Sequence, residues 1–394
     1  MILELPRRTE HFGAVRLHDV QRVYELDSGT RKFPTKAKEA VATISSDEIE
    51  RINQKMVIVV PVKNERLKLL EGVLSGIPHD CHTIVVSNSS RSPVDRFMME
   101  KQMIKEFNHF VEDKITLVHQ QDPGIAEAFA SIGYNSILQS GLVRDGKAEG
   151  MIIAMLLGKM LKKEYVGFID ADNYVPGAVH EYVEIYAAGF ILSDSPYSMV
   201  RVSWVYKPKI AEDKLFFPKW GRVSDVSNRY MNHLIESYTG FGSEIIKTGN
   251  AGEHAISMRL ADLLFYASGF AVETYELVNI LEQFGGVIPP ANPAVMLSGV
   301  DIFQIETRNP HLHEDKGDGH IQEMLSSSLG AIYHSPICPP KVKKSIMDAL
   351  DNKTPVRKGR KPNLPTILEP PLKVDITRFV ATLRKKAQTL TKFG

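Results

Sequence analysis

Residues 165–179 read YVGFIDADNYVPGAV. The apolar run 166–169 ends at two aspartates separated by one alanine. Alternation along an extended chain puts Asp170 and Asp172 on one face. Like charges that close repel unless something positive lies between them, and carboxylate oxygens suit a hard divalent cation. A solvated strand-to-loop turn is the plain alternative, so the surrounding sequence has to decide.

Upstream, KMVIVVPVKNE (55–65) carries a short buried-strand signal over 56–60, closed by Pro61. LKLLEGVLSGIP (67–78) follows with helical spacing, and HTIVVSNSSR (82–91) is a second strand ending in a polar cluster. The stretch 93–111 reads as helix and KITLVHQ (114–120) as a third strand. DPGIAEAFASIGYNSIL (122–138) opens with Asp122 as N-cap and Pro123 as first helical residue. GKAEGMIIAMLLGKML (146–161) is another helix, and YVGFIDAD is the fourth strand. Strands alternating with helices predict parallel crossovers and an α/β, doubly wound, mostly parallel Rossmann-like sheet. Ligands in such sheets sit beyond the carboxyl ends of the strands. Every strand just named exits into polar residues: Lys63-Asn64-Glu65, Ser87-Asn88-Ser89-Ser90, Gln120-Gln121-Asp122 and Asp170-Ala171-Asp172.

Beyond residue 190 the pattern is mixed. MVRVSWVYKP (199–208) alternates like an antiparallel strand, and KWGRVSDVSNRYMNHLIESYTGF (219–241) is a glycine-marked loop and then a helix. KTGNAGEHA (247–255) is a turn-rich loop before an expected helix over 256–265. DIFQIETRNPHLHEDKGDGH (301–320) runs from a strand into a loop of histidines and acids. Residues 340–370 read as an extended Pro- and Lys-rich surface segment, and the end of the chain as an amphipathic basic helix. Residues 1–55 are polar and mixed, without a clear strand. The expected organisation is an N-terminal extension packed on the core (1–55), a ligand-binding α/β region (56–190), a mixed region that completes the site (191–335), and a Pro- and Lys-rich arm with a C-terminal helix (336–394).

The 394 residues carry 43% hydrophobic and 24% charged side chains, the balance of an ordinary globular protein. A formal net charge of +1 supplies no field for nucleic acid or a membrane, so neither is an expected partner. Cys81 and Cys338 cannot build a disulfide framework, which fits a reducing cytoplasm. The opening MILELPRRTE lacks the basic start and apolar stretch of a signal peptide. No run reaches the roughly 18 apolar residues of a spanning helix.

Four other groups complete the candidates. His311 and His313 supply the imidazoles that a carboxylate-bound metal often recruits, though paired histidines after a strand also occur as surface residues. Glu314, Asp315 and Asp318 beside them read as a solvated face. Arg144 and Lys147, at a helix start behind glycines, suit a phosphate, although the spacing is not that of a Walker A loop and exposed bases are the alternative. Gly221, Arg222 and Ser224 form a second phosphate candidate: close backbone approach, a bidentate guanidinium and a hydroxyl. Glu253 and His254 follow two glycines that let a loop approach a ligand, while a Glu at a helix start is also favoured by the dipole alone.

Together these residues resemble the GT-A nucleotide-sugar glycosyltransferases, with VPVKNE at the first strand and Asp-x-Asp at the end of the fourth. The resemblance is closest to the mannosyl-3-phosphoglycerate synthase family and runs along essentially the whole chain. It rests on HFGAVRLHDVQRVYELDSG, NERLKLLEGVLSGIPH, VSNSS, GLVRDGKAEGM, YVGFIDADNYVPGAV, NAGEHA and NPHLHEDKG. It implies retaining transfer of mannose from GDP-mannose to the 2-hydroxyl of 3-phosphoglycerate, giving the precursor of the compatible solute mannosylglycerate. It implies a divalent metal, Mg²⁺ first with Mn²⁺, Co²⁺ and Zn²⁺ as alternatives, on Asp172 and His311 or His313, with Asp170 supporting the donor. Pro61, Val62, Asn64, Glu65, Ser87 and Asn88 are implied as the guanosine floor. Gln120 and Lys147 are placed near ribose and diphosphate, Ala171 between the aspartates, and Glu253 and His254 at the transferred sugar. GRVS is similar to the Gly-Arg-Val-Thr phosphate loop of glucosyl-3-phosphoglycerate synthases, which implies Gly221, Arg222 and Ser224 at the acceptor phosphate; Arg144 is a further expected acceptor-binding residue. Asp170, Asp172, Glu253 and Arg222 are the expected catalytic set.

The rivals are a glucosyl-3-phosphoglycerate synthase using a nucleoside-diphosphate glucose and a non-catalytic nucleotide-sugar-binding protein. A nucleotidyltransferase would open with a Gly-rich loop and Lys-Pro, which VVPVKNERLKLLEG lacks. The exposed basic C-terminal helix and Pro-rich arm are compatible with a homodimer.

Overall fold

The computed structural model describes residues 1–26, 40–173, 175–204, 209–211, 214–216, 222–314, 318–353 and 359–394. Gly221 and the side chains of Arg222 and His313 lie outside what it describes.

Met56–Val62 is the pivot of the strand order. His82–Ser87 pairs parallel on one side of it and Tyr165–Phe168 on the other, with Ile115–His119 parallel beyond His82–Ser87. Chain order therefore reverses at Met56–Val62, the point where a doubly wound sheet opens its ligand crevice. Past Tyr165–Phe168 the sheet becomes mixed. His254–Ser257 runs antiparallel to both its neighbours, Tyr165–Phe168 and Ser198–Trp204, and Ser198–Trp204 pairs parallel with Val300–Thr307. Among the described residues the sheet has thirteen strands, from an N-terminal group to Thr391–Phe393 at the opposite edge.

Period-two alternation divides the interior into two layers. Val57, Val59, Val166, Phe168, Ile256 and Ile302 face one hydrophobic cluster, while Met56, Ile58, Val60, Ile169, Val200 and Phe303 face the other. Apolar residues at both phases fill the parallel strands because helices cover both faces. Lys147–Met160 and Val272–Phe284 belong to the first layer, and Leu67–Gly76 and Pro176–Leu192 to the second. The Asp122 cap is present: its Oδ1 accepts from Gly124 N at 2.7 Å, with Pro123 opening the Pro123–Ser131 helix.

Four expectations are corrected. The strand signal at 166–169 stops at Phe168, so Asp170 and Asp172 lie in the following turn and strand alternation does not orient them. The described residues of 1–55 form five short strands, including Val15–His18 and Gln21–Glu25, which pair with Val300–Thr307; partners nearly three hundred residues away decide them, not local pattern. The expected helix over 256–265 is the strand His254–Ser257 and a single turn, Met258–Ala261, because its apolar residues fill a buried sheet position. The supposed extended arm begins as the helix Pro340–Lys353, with proline at the one end where its missing N–H costs nothing.

Candidate active site

Two linked clusters occupy the crevice at the carboxyl ends of the central strands. In the first, Lys147, which opens Lys147–Met160, places Nζ 2.6 Å from Asp170 Oδ1 and 2.6 Å from Glu273 Oε1. Burial alone would lower the Lys147 ammonium, but the two carboxylates outweigh it and hold it well above its ordinary value. Glu273 stands in the first turn of Val272–Phe284, and its Oε2 accepts from Asn250 Nδ2 at 3.3 Å. The bare backbone of Gly252 makes room for this triad: a Cβ there would stand 2.8 Å from Asp170 Oδ2 and 3.6 Å from Lys147 Nζ.

Asn173 ties this group to the second cluster, donating to the Asp170 carbonyl at 2.8 Å and to Glu253 Oε1 at 3.0 Å. His311 Nδ1 lies 3.9 Å from Glu253 Oε1 and 3.2 Å from the Tyr182 hydroxyl, and its ring packs on Trp204 with centroids 4.6 Å apart. Burial raises the Tyr182 phenol well above its ordinary value, and the charges of Glu253, Glu181 and Asp172 push it the same way. The turn leading to His311 hangs on Glu181, which accepts from Arg308 N at 2.6 Å, Asn309 N at 2.9 Å and Asn309 Nδ2 at 2.7 Å.

Asp170 and Glu273 thus meet at Lys147, while Glu253 meets the His311 imidazole and the charge of Asp172 reaches Tyr182 beside it. That donor set and sign of charge fit a divalent cation. Among the described residues no three His, Cys, Asp or Glu side chains are grouped closely enough to hold a metal by themselves. The protein side of such a site is therefore partial.

The other expected residues take different places. Asn64 adopts a left-handed backbone (φ 61°), its N–H donates to Ser89 Oγ at 2.7 Å, and its Oδ1 accepts from Ser90 N at 2.9 Å. Asn88 Nδ2 donates to Asp145 Oδ1 at 2.6 Å, and Lys63 Nζ approaches the same carboxylate at 2.8 Å. Pro61 and Glu65 are half-buried at the first strand's exit, and Val62 and Ala171 are buried beside it. Arg144 donates Nε–H to the Ser136 carbonyl at 3.0 Å, away from the crevice cluster. Ser224 is buried in the first turn of Arg222–Thr239.

Three expected ligand contacts take supporting places instead. Ser87 is fully buried and its hydroxyl donates to Glu100 at 2.6 Å. Gln120 spends both amide hydrogens on the carbonyls of Arg144 and Gly146, at 2.7 and 2.9 Å, holding the loop that leads to Lys147. His254 is wholly buried in its strand, with Nε2 2.9 Å from Glu276 Oε2 and Nδ1 3.2 Å from the Gly252 carbonyl. The His254–Glu276 approach is close but poorly aligned as a hydrogen bond, and both atoms lack another partner. It is a close contact between two fully buried side chains in the strand and helix beneath the loop. Sequence reading missed Glu273, Tyr182 and Glu181, which come from helices with no motif of their own, and passed over Asp145 between the candidates Arg144 and Lys147. Asn173 was within reach, since it follows Asp172 directly.

The family described as mannosyl-3-phosphoglycerate synthase matches residues 5–383. A Pyrococcus furiosus protein named mannosyl-3-phosphoglycerate synthase is 44% identical over 396 residues, covering 100% of both chains. An Aeropyrum pernix protein of the same name is 40% identical over 351 residues, 89% of each chain. Among solved structures, the glucosyl-3-phosphoglycerate synthase of Mycobacterium tuberculosis, in complex with Mn²⁺, UDP and phosphoglyceric acid, superposes with a TM-score of 0.51 at 16% identity, over 82% of this chain and 87% of that one. That likeness establishes a shared GT-A fold.

Proposed function

The chain belongs to the mannosyl-3-phosphoglycerate synthase family, and from that premise we propose that it transfers mannose from GDP-mannose to the 2-hydroxyl of 3-phosphoglycerate with retention. The product is mannosyl-3-phosphoglycerate, the phosphorylated precursor of mannosylglycerate. The observation that carries the reading is the joined pair of clusters, Lys147–Asp170–Glu273 and Asn173–Glu253–His311, at the strand-order reversal where a nucleotide sugar binds.

Asp172 and His311, with His313 as alternative, are the residues we assign to hold a divalent metal, Mg²⁺ first. When bound, that metal offsets charge on the leaving diphosphate as Lewis acid and template. Asn64, Asn88, Pro61 and Glu65 line the guanosine end. Lys147 carries the positive charge that faces the diphosphate, and Glu253, held by Asn173, accepts from hydroxyls of the transferred sugar. Gly221, Arg222 and Ser224 hold the acceptor phosphate and aim its 2-hydroxyl at the anomeric carbon, a gain of proximity and orientation. Retention follows same-face attack, the departing diphosphate taking the hydroxyl proton. Trapping a mannosyl ester on Glu253 or an aspartate, read by mass spectrometry, would replace this route with a covalent one. We place the activity in the cytoplasm; among the described residues no helix is long and apolar enough to cross a membrane.

The deciding experiment supplies 3-phosphoglycerate and Mg²⁺ with GDP-mannose, GDP-glucose or UDP-glucose in separate reactions, followed by phosphorus NMR. Acceptor-dependent release of GDP with GDP-mannose is expected, and turnover only with a glucose donor would make the chain a glucosyltransferase. Asp172→Ala should abolish metal-dependent turnover, and Arg222→Ala should raise the KM for 3-phosphoglycerate. Full activity in the first or unchanged acceptor kinetics in the second would remove that residue from its role.

A further inference from the structure

Glu273 touches the site without a part in the reaction as described. Its Oε1 is 2.6 Å from Lys147 Nζ, as close as Asp170 Oδ1 is, so one buried ammonium is shared evenly between two carboxylates. The sharing matters because Asp170 has a second demand on it. A lysine paired with Asp170 alone, in a poorly solvated crevice, would compete with any cation for that carboxylate and would lose its own counter-charge whenever the cation won. A second anion removes the conflict.

Glu273 is built to stay where it is. It sits in the first turn of Val272–Phe284, where the helix dipole favours an anion. Asn250 Nδ2 donates to its Oε2, while Asn250 Oδ1 is itself fixed by Thr274 Oγ1 at 3.1 Å and Ser328 Oγ at 2.6 Å. The fully buried Arg201 donates to the Glu273 carbonyl at 2.9 Å. Asp170, in contrast, lies in an irregular turn and is the most exposed of the three, with 35% of its side chain open against 9% for Glu273 and 14% for Lys147. The buried, helix-borne carboxylate is Glu273, and the one open on its solvent side is Asp170.

We propose that Glu273 is a positioning residue: it retains Lys147, aimed into the crevice, while Asp170 turns its carboxylate to the metal–donor complex. The inference rests on the donor roles given above to Lys147 and Asp170.

The test uses the full chain with Mn²⁺ and GDP as probes. Bound Mn²⁺ is counted by electron paramagnetic resonance, GDP by calorimetry, and steady-state rates are taken in parallel. Glu273→Gln keeps shape and removes charge. Its Mn²⁺ affinity in the presence of GDP is expected to fall about 10–100-fold, with kcat falling alongside and the KM for 3-phosphoglycerate unmoved. Glu273→Asp keeps the charge one methylene further back and should recover part of the Mn²⁺ affinity. A folded Glu273→Gln protein that binds Mn²⁺ and GDP as the parent does, losing only thermal stability, overturns the proposal. Should Glu273→Gln fail to fold, Glu273→Asp carries the comparison: weaker Mn²⁺ binding supports the proposal and parental binding overturns it. A parent chain that binds no Mn²⁺–GDP overturns the functional reading and this inference together, whereas an unaffected variant of a binding parent overturns this inference alone.

Discussion

His82 illustrates how a single residue here ties stability to pH. It begins the His82–Ser87 strand, with Nε2 2.9 Å from Thr116 Oγ1. Burial, reinforced by the charges of Lys163, Lys392 and Lys114, pushes its imidazole down to about 4. The unfolded chain takes up this proton near the ordinary histidine value of about 6.5, and the folded one does not. His82 therefore lowers stability as pH falls from about 6.5 towards 4, by at most about 3 kcal/mol, less what solvent at its exposed edge screens. Urea unfolding across that range should show a shallower acid decline in His82→Gln. An unchanged slope would mean that other groups carry it; His119, also lowered by burial, is the next to replace.

At the scale of elements, Asp122 does two jobs with one carboxylate. Oδ1 caps the Pro123–Ser131 helix, while Oδ2 accepts from Gln388 N at 2.8 Å and from Thr389 N and Oγ1, both at 2.6 Å. The cap thereby clamps the segment that follows the C-terminal helix Ile376–Lys386. The two helices approach so closely that a Cβ on Gly124 would stand 2.2 Å from the Lys386 carbonyl carbon. Asp122→Ala leaves several buried donors unmet and should cost about 3 kcal/mol or more in urea unfolding. Gly124→Ala should cost about 1–3 kcal/mol by forcing the helices apart. The cap was readable from the sequence because capping chemistry is local. Its second function was not, because Thr389 lies 267 residues away.

At the scale of the molecule, Cys81 and Cys338 report on the two faces of the sheet. Each is a buried free thiol, and they belong to different hydrophobic layers. Burial raises the Cys81 thiol far above its ordinary value and pushes Cys338 up to about 11, so neither presents thiolate near neutral pH. Thiol reagents should label neither in the native protein and, if the layers open as one cooperative unit, both at one rate as urea is raised. Faster labelling of Cys338 would show that the helices over that face open before the parallel core.

The sequence by itself determined the parallel core and its crevice. Four apolar runs each end in polar residues, and such runs need only their own β-propensity and two helical covers to be recognised. Asp170, Asp172, Lys147 and Glu253 were named for the same reason: strand exits and helix starts are local features. Tertiary structure alone decided which of the named residues face the crevice. Ser87, Gln120 and His254 turn inward to Glu100, the 144–146 loop and Glu276, partners that no spacing rule connects to them. It alone recruited Glu273, Tyr182 and Glu181, ordinary helix residues in the sequence. The physical reason is one of range. Backbone preference and burial pattern act over a few residues, whereas the partner of a buried charge is chosen by whatever the folded sheet brings within about 3 Å of it.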